Sequence, residues 1–267
     1  MFRLCAGLAG VSASALLMLV PAPIQAEALS PQIVGGQLSS QWPGVGGVFI
    51  PPDSLCTGFA ITSRWIMTAA HCVAGATHST LSFLVGSDVA LPDIAVYAVD
   101  QVIVDPGFNV NDITAGHDAA LLHIKDVDLP VLPFKLNSQS LAAASMVGTH
   151  MLTLGYGTTG AAGNGSGSKR VVQVTISNLE GAFIEIENTT TGTCSGDSGG
   201  PAYVYDSDGF PLVLGLTSFG DQNCEVFGGF QRVDVELSFV MAAVTSGLCS
   251  NGQSCEGIFR DGVEPPL

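Results

Sequence analysis

Short runs of β-branched or alternating apolar residues recur along the chain, each closed off by glycine, proline or a small polar residue: Gly47 to Ile50, Gly58 to Thr62, Trp65 to Thr68, Leu81 to Val85, Val96 to Val104, Ala119 to Ile124, His150 to Leu154, Val171 to Ile176, Phe183 to Ile186 and Leu212 to Leu216. Spacing of this kind predicts strands in an antiparallel barrel or sandwich. One stretch departs from it. From Asp234 to Val244 the apolar residues recur at helical spacing, with Asp234 at the N-cap position and Gly247 just past the end, which predicts a C-terminal helix. The fold class is therefore all-β. With 267 residues, 47% hydrophobic and only 12% charged, the chain can bury one large core or two small ones and is too apolar to be disordered.

The first 26 residues carry Arg3, an apolar run through Leu16-Leu17-Met18-Leu19-Val20, then Pro21, Pro23 and a small residue at Ala26. This predicts a secretory signal over 1–26 cleaved after Ala26, with Ala22 as the other candidate site. The run is short for a membrane span and the prolines end it, and no later stretch could cross a bilayer. Of seven cysteines, Cys5 falls in the signal, and the remaining Cys56, Cys72, Cys194, Cys224, Cys249 and Cys255 are an even set suited to disulfides in an oxidising compartment. Six cysteines allow fifteen connectivities. Without a C-x-x-C pair a zinc site is not expected, and no metal or cofactor is implied. A net charge of −15 disfavours nucleic acid and anionic membranes as partners.

Chemistry concentrates in Cys194-Ser195-Gly196-Asp197-Ser198-Gly199-Gly200-Pro201. Ser198 sits between glycines that let a substrate approach the backbone, but a serine needs a base and an orienting acid to act as a nucleophile. Thr68-Ala69-Ala70-His71-Cys72 offers the base, and His117-Asp118-Ala119-Ala120-Leu121-Leu122 offers the acid. The segment around Ser198 also satisfies the G-x-S-x-G elbow of α/β-hydrolases, which requires a histidine after the serine. All five histidines (His71, His78, His117, His123 and His150) precede Ser198, so that alternative fails. His78, His117, His123 and His150 read as surface or barrel residues.

From Ile33-Val34-Gly35-Gly36 to about Gly247 the chain resembles secreted serine proteases of the trypsin/chymotrypsin family. Besides the motifs above, Gly155-Tyr156-Gly157 and Thr217-Ser218-Phe219-Gly220 carry the likeness, all in matching order. The resemblance implies two six-stranded antiparallel Greek-key β-barrels with a C-terminal α-helix, divided near 132–145, with the active site in the cleft between them. The protease domain would span 33–248, after a short propeptide at 27–32 and before a disulfide-looped tail at 249–267. The glycine-rich stretch from Gly160 to Ser168 would then be a loop rimming the cleft and not a linker.

The same resemblance assigns roles. His71 is the general base, Asp118 its orienter and Ser198 the nucleophile, with the N–H groups of Gly196 and Ser198 as the oxyanion hole and Ser218 bonded to Asp118. It pairs Cys56 with Cys72 and Cys194 with Cys224, leaving Cys249 for Cys255; the first two would close loops of about 17 and 31 residues, each worth about 3 to 4 kcal/mol. Cleavage before Ile33 would free an ammonium for Asp197. Gln32 stands where trypsin-type zymogens carry a basic residue, so a different activating protease is expected. Gly192 would floor the primary pocket beside Thr193, with Gly220 and Gly228 as walls. That pocket is neutral and suits aromatic or medium apolar side chains, although Asp221 and Glu225 lie nearby. The stretch from Thr158 to Thr193 lacks a cysteine pair and is compact, as in bacterial members. A monomer acting on protein or peptide substrates outside the cytoplasm is expected. Other readings of the motifs are a catalytically silent protease-like binding protein, which an intact triad disfavours, and a serine esterase.

Overall fold

The computed structural model describes residues 33–187 and 190–243. The leader, the propeptide, Gly247, Cys249, Cys255 and the tail, on which several of the expectations above fall, lie outside the described residues. A short strand β1 (Gln37–Leu38) precedes a first barrel made of β2 (Val45–Ile50), β3 (Ser54–Ala60), β4 (Trp65–Thr68), β5 (Ser82–Val85), β6 (Ala95–Val104) and β7 (Ala120–Ile124), with the single-turn helix α1 (Ala70–Val73) after β4. Next come β8 (Lys135–Leu136) and helix α2 (Ala143–Met146). A second set of strands follows: β9 (His150–Gly155), β10 (Arg170–Glu180), β11 (Phe183–Glu187), β12 (Pro201–Tyr205), β13 (Pro211–Gly220) and β14 (Phe227–Arg232). Helix α3 (Leu237–Ala243) comes last.

The first ring closes in the order β2-β3-β4-β7-β6-β5, and the second in the order β9-β10-β11-β14-β13-β12, closed by β9 against β12. The two rings have the same connectivity, so the chain builds one antiparallel barrel twice. β1 extends the second sheet along β10, and β8 lies parallel to β13.

Side-chain alternation explains the strands. In β10, Val172, Val174 and Ile176 point into the second barrel beside Ile184, Ile186, Leu214 and Phe230, while Gln173 and Thr175 face outward. Trp65 to Met67 of β4 and Ala120 to Leu122 of β7 read as apolar runs because both faces of these strands are covered. Ile66, Leu122 and Ile124 fill the first barrel, whereas Trp65, Met67 and Leu121 join a third cluster that also holds Phe134, Tyr203, Val213 and Phe239. This third cluster is the seam between the barrels. Each large apolar side chain buried in it contributes roughly 1.5–3 kcal/mol.

Two barrel strands, β12 and β14, escape the sequence pattern, as do the two-residue strands β1 and β8 outside the rings. β12 starts at Pro201 straight after Gly199-Gly200, and β14 contains Gly228-Gly229, so both read as turns until neighbouring strands pair with them. The helix also starts later than its spacing predicts, at Leu237. Asp234 is no cap there: its carboxylate takes Arg232 and the Leu141 N–H (3.0 Å) instead.

Phe134 packs against Trp42, Phe59 and Tyr203 with ring centroids 5.6, 5.8 and 5.7 Å away, one aromatic plug shared by both barrels. Phe134→Ala is expected to cost about 3–5 kcal/mol in urea unfolding, while Leu132→Ala, at a residue 73% exposed, stays within about 0.5 kcal/mol. Equal losses for the two variants would contradict a seam held by this plug.

Candidate active site

β4 delivers the chain directly into α1, whose single turn presents His71 at the seam. The neighbouring Cys72 is bonded to Cys56 of β3, sixteen residues earlier, which ties the histidine turn to its own barrel. Asp118 precedes β7 and is fully buried. Its Oδ1 accepts the His71 backbone N–H (2.9 Å), its Oδ2 lies 2.8 Å from His71 Nδ1, and the Ser218 hydroxyl of β13 donates to the same Oδ2 (2.6 Å). An ionised carboxylate out of water is tolerable only when its lone pairs are filled in this way. His71 Nδ1 facing Asp118 leaves Nε2 for chemistry. Behind the carboxylate, the Asp118 N–H donates to Gln231 Oε1 (3.3 Å).

Ser198 lies in the loop between β11 and β12, and the first barrel grips that loop from below. The Thr57 N–H donates to the Ser198 carbonyl (2.8 Å), and the Thr57 hydroxyl donates to the Gly196 carbonyl (2.8 Å) while accepting the Tyr156 N–H (3.1 Å). Gly199, at φ 81°, has no room for a side chain, since a Cβ would stand 2.2 Å from Thr68 Oγ1. With its carbonyls spent, the loop leaves the N–H groups of Gly196 and Ser198 without an acceptor among the described residues. Two adjacent unspent donors of this kind can receive a developing oxyanion. The Ser198 hydroxyl makes no hydrogen bond to His71 among the described residues. The Cys72 sulfur lies 3.6 Å from His71 Nε2 and 3.9 Å from the Ser198 carbonyl oxygen, so His71 and Ser198 border one disulfide. Such bonds are often long before substrate arrives and tighten in the complex.

Asp197 is fully buried behind the loop, where Gly157 and Cys194 donate their N–H groups to its two oxygens (both 2.8 Å). Gly155 and Gly157 must lack side chains, because a Cβ on either would lie within 2.5 Å of the carboxylate. Burial pushes the Asp197 carboxyl up to about 7, against the pull of the two N–H bonds and the charge of Arg170. Ile33 is buried in the second barrel with Met151, Val172 and Ile184, but no hydrogen bond or ion pair joins it to Asp197 among the described residues.

Beside Ser198 opens a cavity of about 210 Å³ lined by Thr193, Ser195, Ser218, Phe219, Gly220 and Asp221, with the Cys194–Cys224 disulfide in its wall. Thr193, Ser218 and Gly220, the last two in β13, are part of this lining. Gly192 and Gly228 are not in the lining. Gly192 donates its N–H to the Val34 carbonyl (2.9 Å), and Gly228 pairs within the sheet with Gly220 and Ile186. The Asp221 carboxylate in the lining is engaged by the backbone of its own loop. Its oxygens accept the N–H groups of Asn223, Glu225, Val226 and Phe227, which hold its carboxyl down to about 2 despite some desolvation. Thr57, Gln231 and the tie made by Asp221 carry no sequence motif, since each depends on a partner distant in the chain or on the path of a loop.

A family model described as Trypsin matches residues 33–240. Among curated proteins, the chain is similar to a trypsin of Phaedon cochleariae, 31% identical over 186 residues that cover 62% of this chain and 68% of that protein. It is also similar to chymotrypsin-like elastase family member 1 of Bos taurus, 27% identical with coverage of 80% and 90%, and to that of Macaca fascicularis, 28% identical with coverage of 72% and 79%.

Thr57→Val removes the hydroxyl shared by the Gly196 carbonyl and the Tyr156 N–H and leaves the latter buried without a partner. The expected cost is about 1–3 kcal/mol, read by calorimetry as a lower melting temperature, with Thr57→Ser much closer to the parent. A Val variant as stable as the Ser variant would show that the hydroxyl does not hold the loop.

Proposed function

The chain belongs to the trypsin family of serine endopeptidases, and on that premise we propose that it cleaves peptide bonds through Ser198, His71 and Asp118. The observation that carries this reading is the buried Asp118 carboxylate, bonded at once to His71 Nδ1 and to Ser218. In the proposed reaction His71 Nε2 takes the proton of the Ser198 hydroxyl as Oγ attacks the scissile carbonyl, and the resulting oxyanion rests on the N–H groups of Gly196 and Ser198. The imidazolium then gives its proton to the leaving amine as the C–N bond breaks. Water, deprotonated by the same imidazole, hydrolyses the acyl-enzyme and restores Ser198. Asp118 holds the ring in the required tautomer and stabilises its charge.

The cavity beside Ser198 has hydroxyls, backbone and the Phe219 ring in its lining, and its one carboxylate, Asp221, stays ionised but directs its oxygens to the N–H groups of its own loop. This favours uncharged, apolar or aromatic side chains over lysine or arginine. The protein is proposed to be exported as a monomeric zymogen, in keeping with its leader sequence and its Cys56–Cys72 and Cys194–Cys224 disulfides. No described helix is long and apolar enough to cross a membrane. The compact stretch from Thr158 to Thr193, without a cysteine pair, favours a bacterial origin.

Activation would follow cleavage before Ile33 by a protease that accepts Gln32. The new ammonium would supply a full cation at buried Asp197, whose desolvation is otherwise opposed among the described residues by the Cys194 and Gly157 N–H bonds and the more distant Arg170 charge.

A fluorophosphonate probe is expected to label the processed protein and not Ser198→Ala, and His71→Ala to lower kcat by at least about a thousandfold. Peptides with Phe or Leu before the scissile bond are expected to be cleaved faster than those with Arg; the reverse order would refute the neutral pocket. For Asp197, a carboxyl at about 7 in the fold but near 3.8 unfolded keeps its proton longer in the folded state. The unprocessed Ser198→Ala protein should therefore lose stability relative to a Ser198→Ala/Asp197→Asn protein as pH rises from about 4 to 7, and level off above. Cleavage before Ile33 should abolish that loss. A difference independent of pH in unprocessed protein would overturn the assignment.

A further inference from the structure

Behind the site, on the far side of Asp118, three groups that can bind a metal meet. Asp105 follows β6, His117 precedes Asp118, and Glu236 precedes α3; one ligand atom of each lies within 4.8 Å of the others. His117 Nδ1 is 3.5 Å from Asp105 Oδ1 and 4.0 Å from Glu236 Oε1. The ligands of a tetrahedral zinc ion, each about 2.0–2.2 Å from the metal, are themselves about 3.4 Å apart. The trio is close to that spacing before any ion draws it together.

The surroundings point to a ligand. Glu236 is 1% exposed, and while its Oε1 accepts the Gln231 side-chain N–H (2.8 Å), its Oε2 has no hydrogen-bond partner. A buried acceptor left empty beside a second buried carboxyl group, Asp105, needs either a proton or a cation. His117 closes the site from outside. Its ring packs on the Gly107 backbone, so closely that a Cβ there would lie 2.7 Å from the ring, and the side chain is half exposed, which opens a path for an ion and a water.

The geometry points to a divalent-cation site formed by Asp105, His117 and Glu236, with one imidazole nitrogen and two carboxylates as ligands and water completing the shell. One nitrogen with two oxygens suits zinc or a similar borderline ion better than calcium, which takes six to eight oxygens. The site is also wired to the candidate active site, because Gln231 donates to Glu236 and accepts the Asp118 N–H. The sequence shows no metal motif because the three ligands come from distant segments.

The test uses the whole chain carrying Ser198→Ala, stripped with a chelator, and zinc(II) alone as the probe, titrated against a chromophoric competitor. Cobalt(II) absorption reports the ligand geometry. The parent is expected to bind one zinc tightly, to melt at a higher temperature with zinc, and to give a cobalt spectrum typical of tetrahedral nitrogen and oxygen ligands. His117→Asn, which tolerates the positive φ of 64° at this position, should weaken zinc at least about a hundredfold and lose the spectrum. Glu236→Gln should do the same while melting no lower than the metal-free parent. Binding unchanged in both variants would place the metal elsewhere, at His71 for example, and overturn the assignment; so would a parent that binds no zinc at 100 µM. Proteolysis is not part of the readout, so failure here is distinct from failure of the proposed activity.

Discussion

A carboxylate with no access to water is the demand that the rest of the site answers. Asp118 sits at the seam of two barrels, and its donors come from both: His71 from the turn after β4, Ser218 from β13. Remove either barrel and the charge is left exposed or unpaired. The seam cluster of Phe134, Tyr203, Met67 and Leu121 holds the barrels at the separation these short bonds need. Packing and electrostatics are therefore one constraint, since the apolar seam supplies the dry environment in which three hydrogen bonds to one carboxylate are strong.

The serine loop obeys the same logic from the opposite side. Its backbone is spent on Thr57 of the first barrel and on Thr217 of the second. Asp197 anchors it beneath, against glycines that admit no side chain. Among the described residues the N–H groups of Gly196 and Ser198 are left without an acceptor. Donors of this kind suit a developing negative charge.

Most strands were legible from alternation, because a barrel strand has one face toward a core and the two seam strands are covered on both faces. β12 and β14 were not, since their glycines signal turns and only pairing with β13 makes them strands. The capping role read into Asp234 failed because a competing arginine and the Leu141 N–H took its carboxylate. Of the site, His71, Asp118 and Ser198 stand in short, local motifs, whereas the pairing of the two described disulfides was implied by the family resemblance and not by the spacing of the cysteines. Thr57, Gln231 and Glu236 stand in none, because each acts through a residue dozens of positions away or through a neighbour in the second barrel. The pocket floor placed at Gly192 by counting back from Cys194 differs from the lining seen, where Gly192 turns instead to Val34. Counting along the chain finds a residue's position in a motif but not the direction in which its backbone faces.

The loop from Asp221 to Phe227 is shaped by one side chain that binds only main-chain N–H groups. Those bonds are indifferent to what the intervening residues are. Gln222, Asn223 and Glu225 are exposed and can change without altering the curve that carries them past the cavity. Shape and chemistry are thereby encoded by different positions, so what lies along this wall could be diversified through a few exchangeable surface residues while Asp221 and the Cys194–Cys224 disulfide preserve its course.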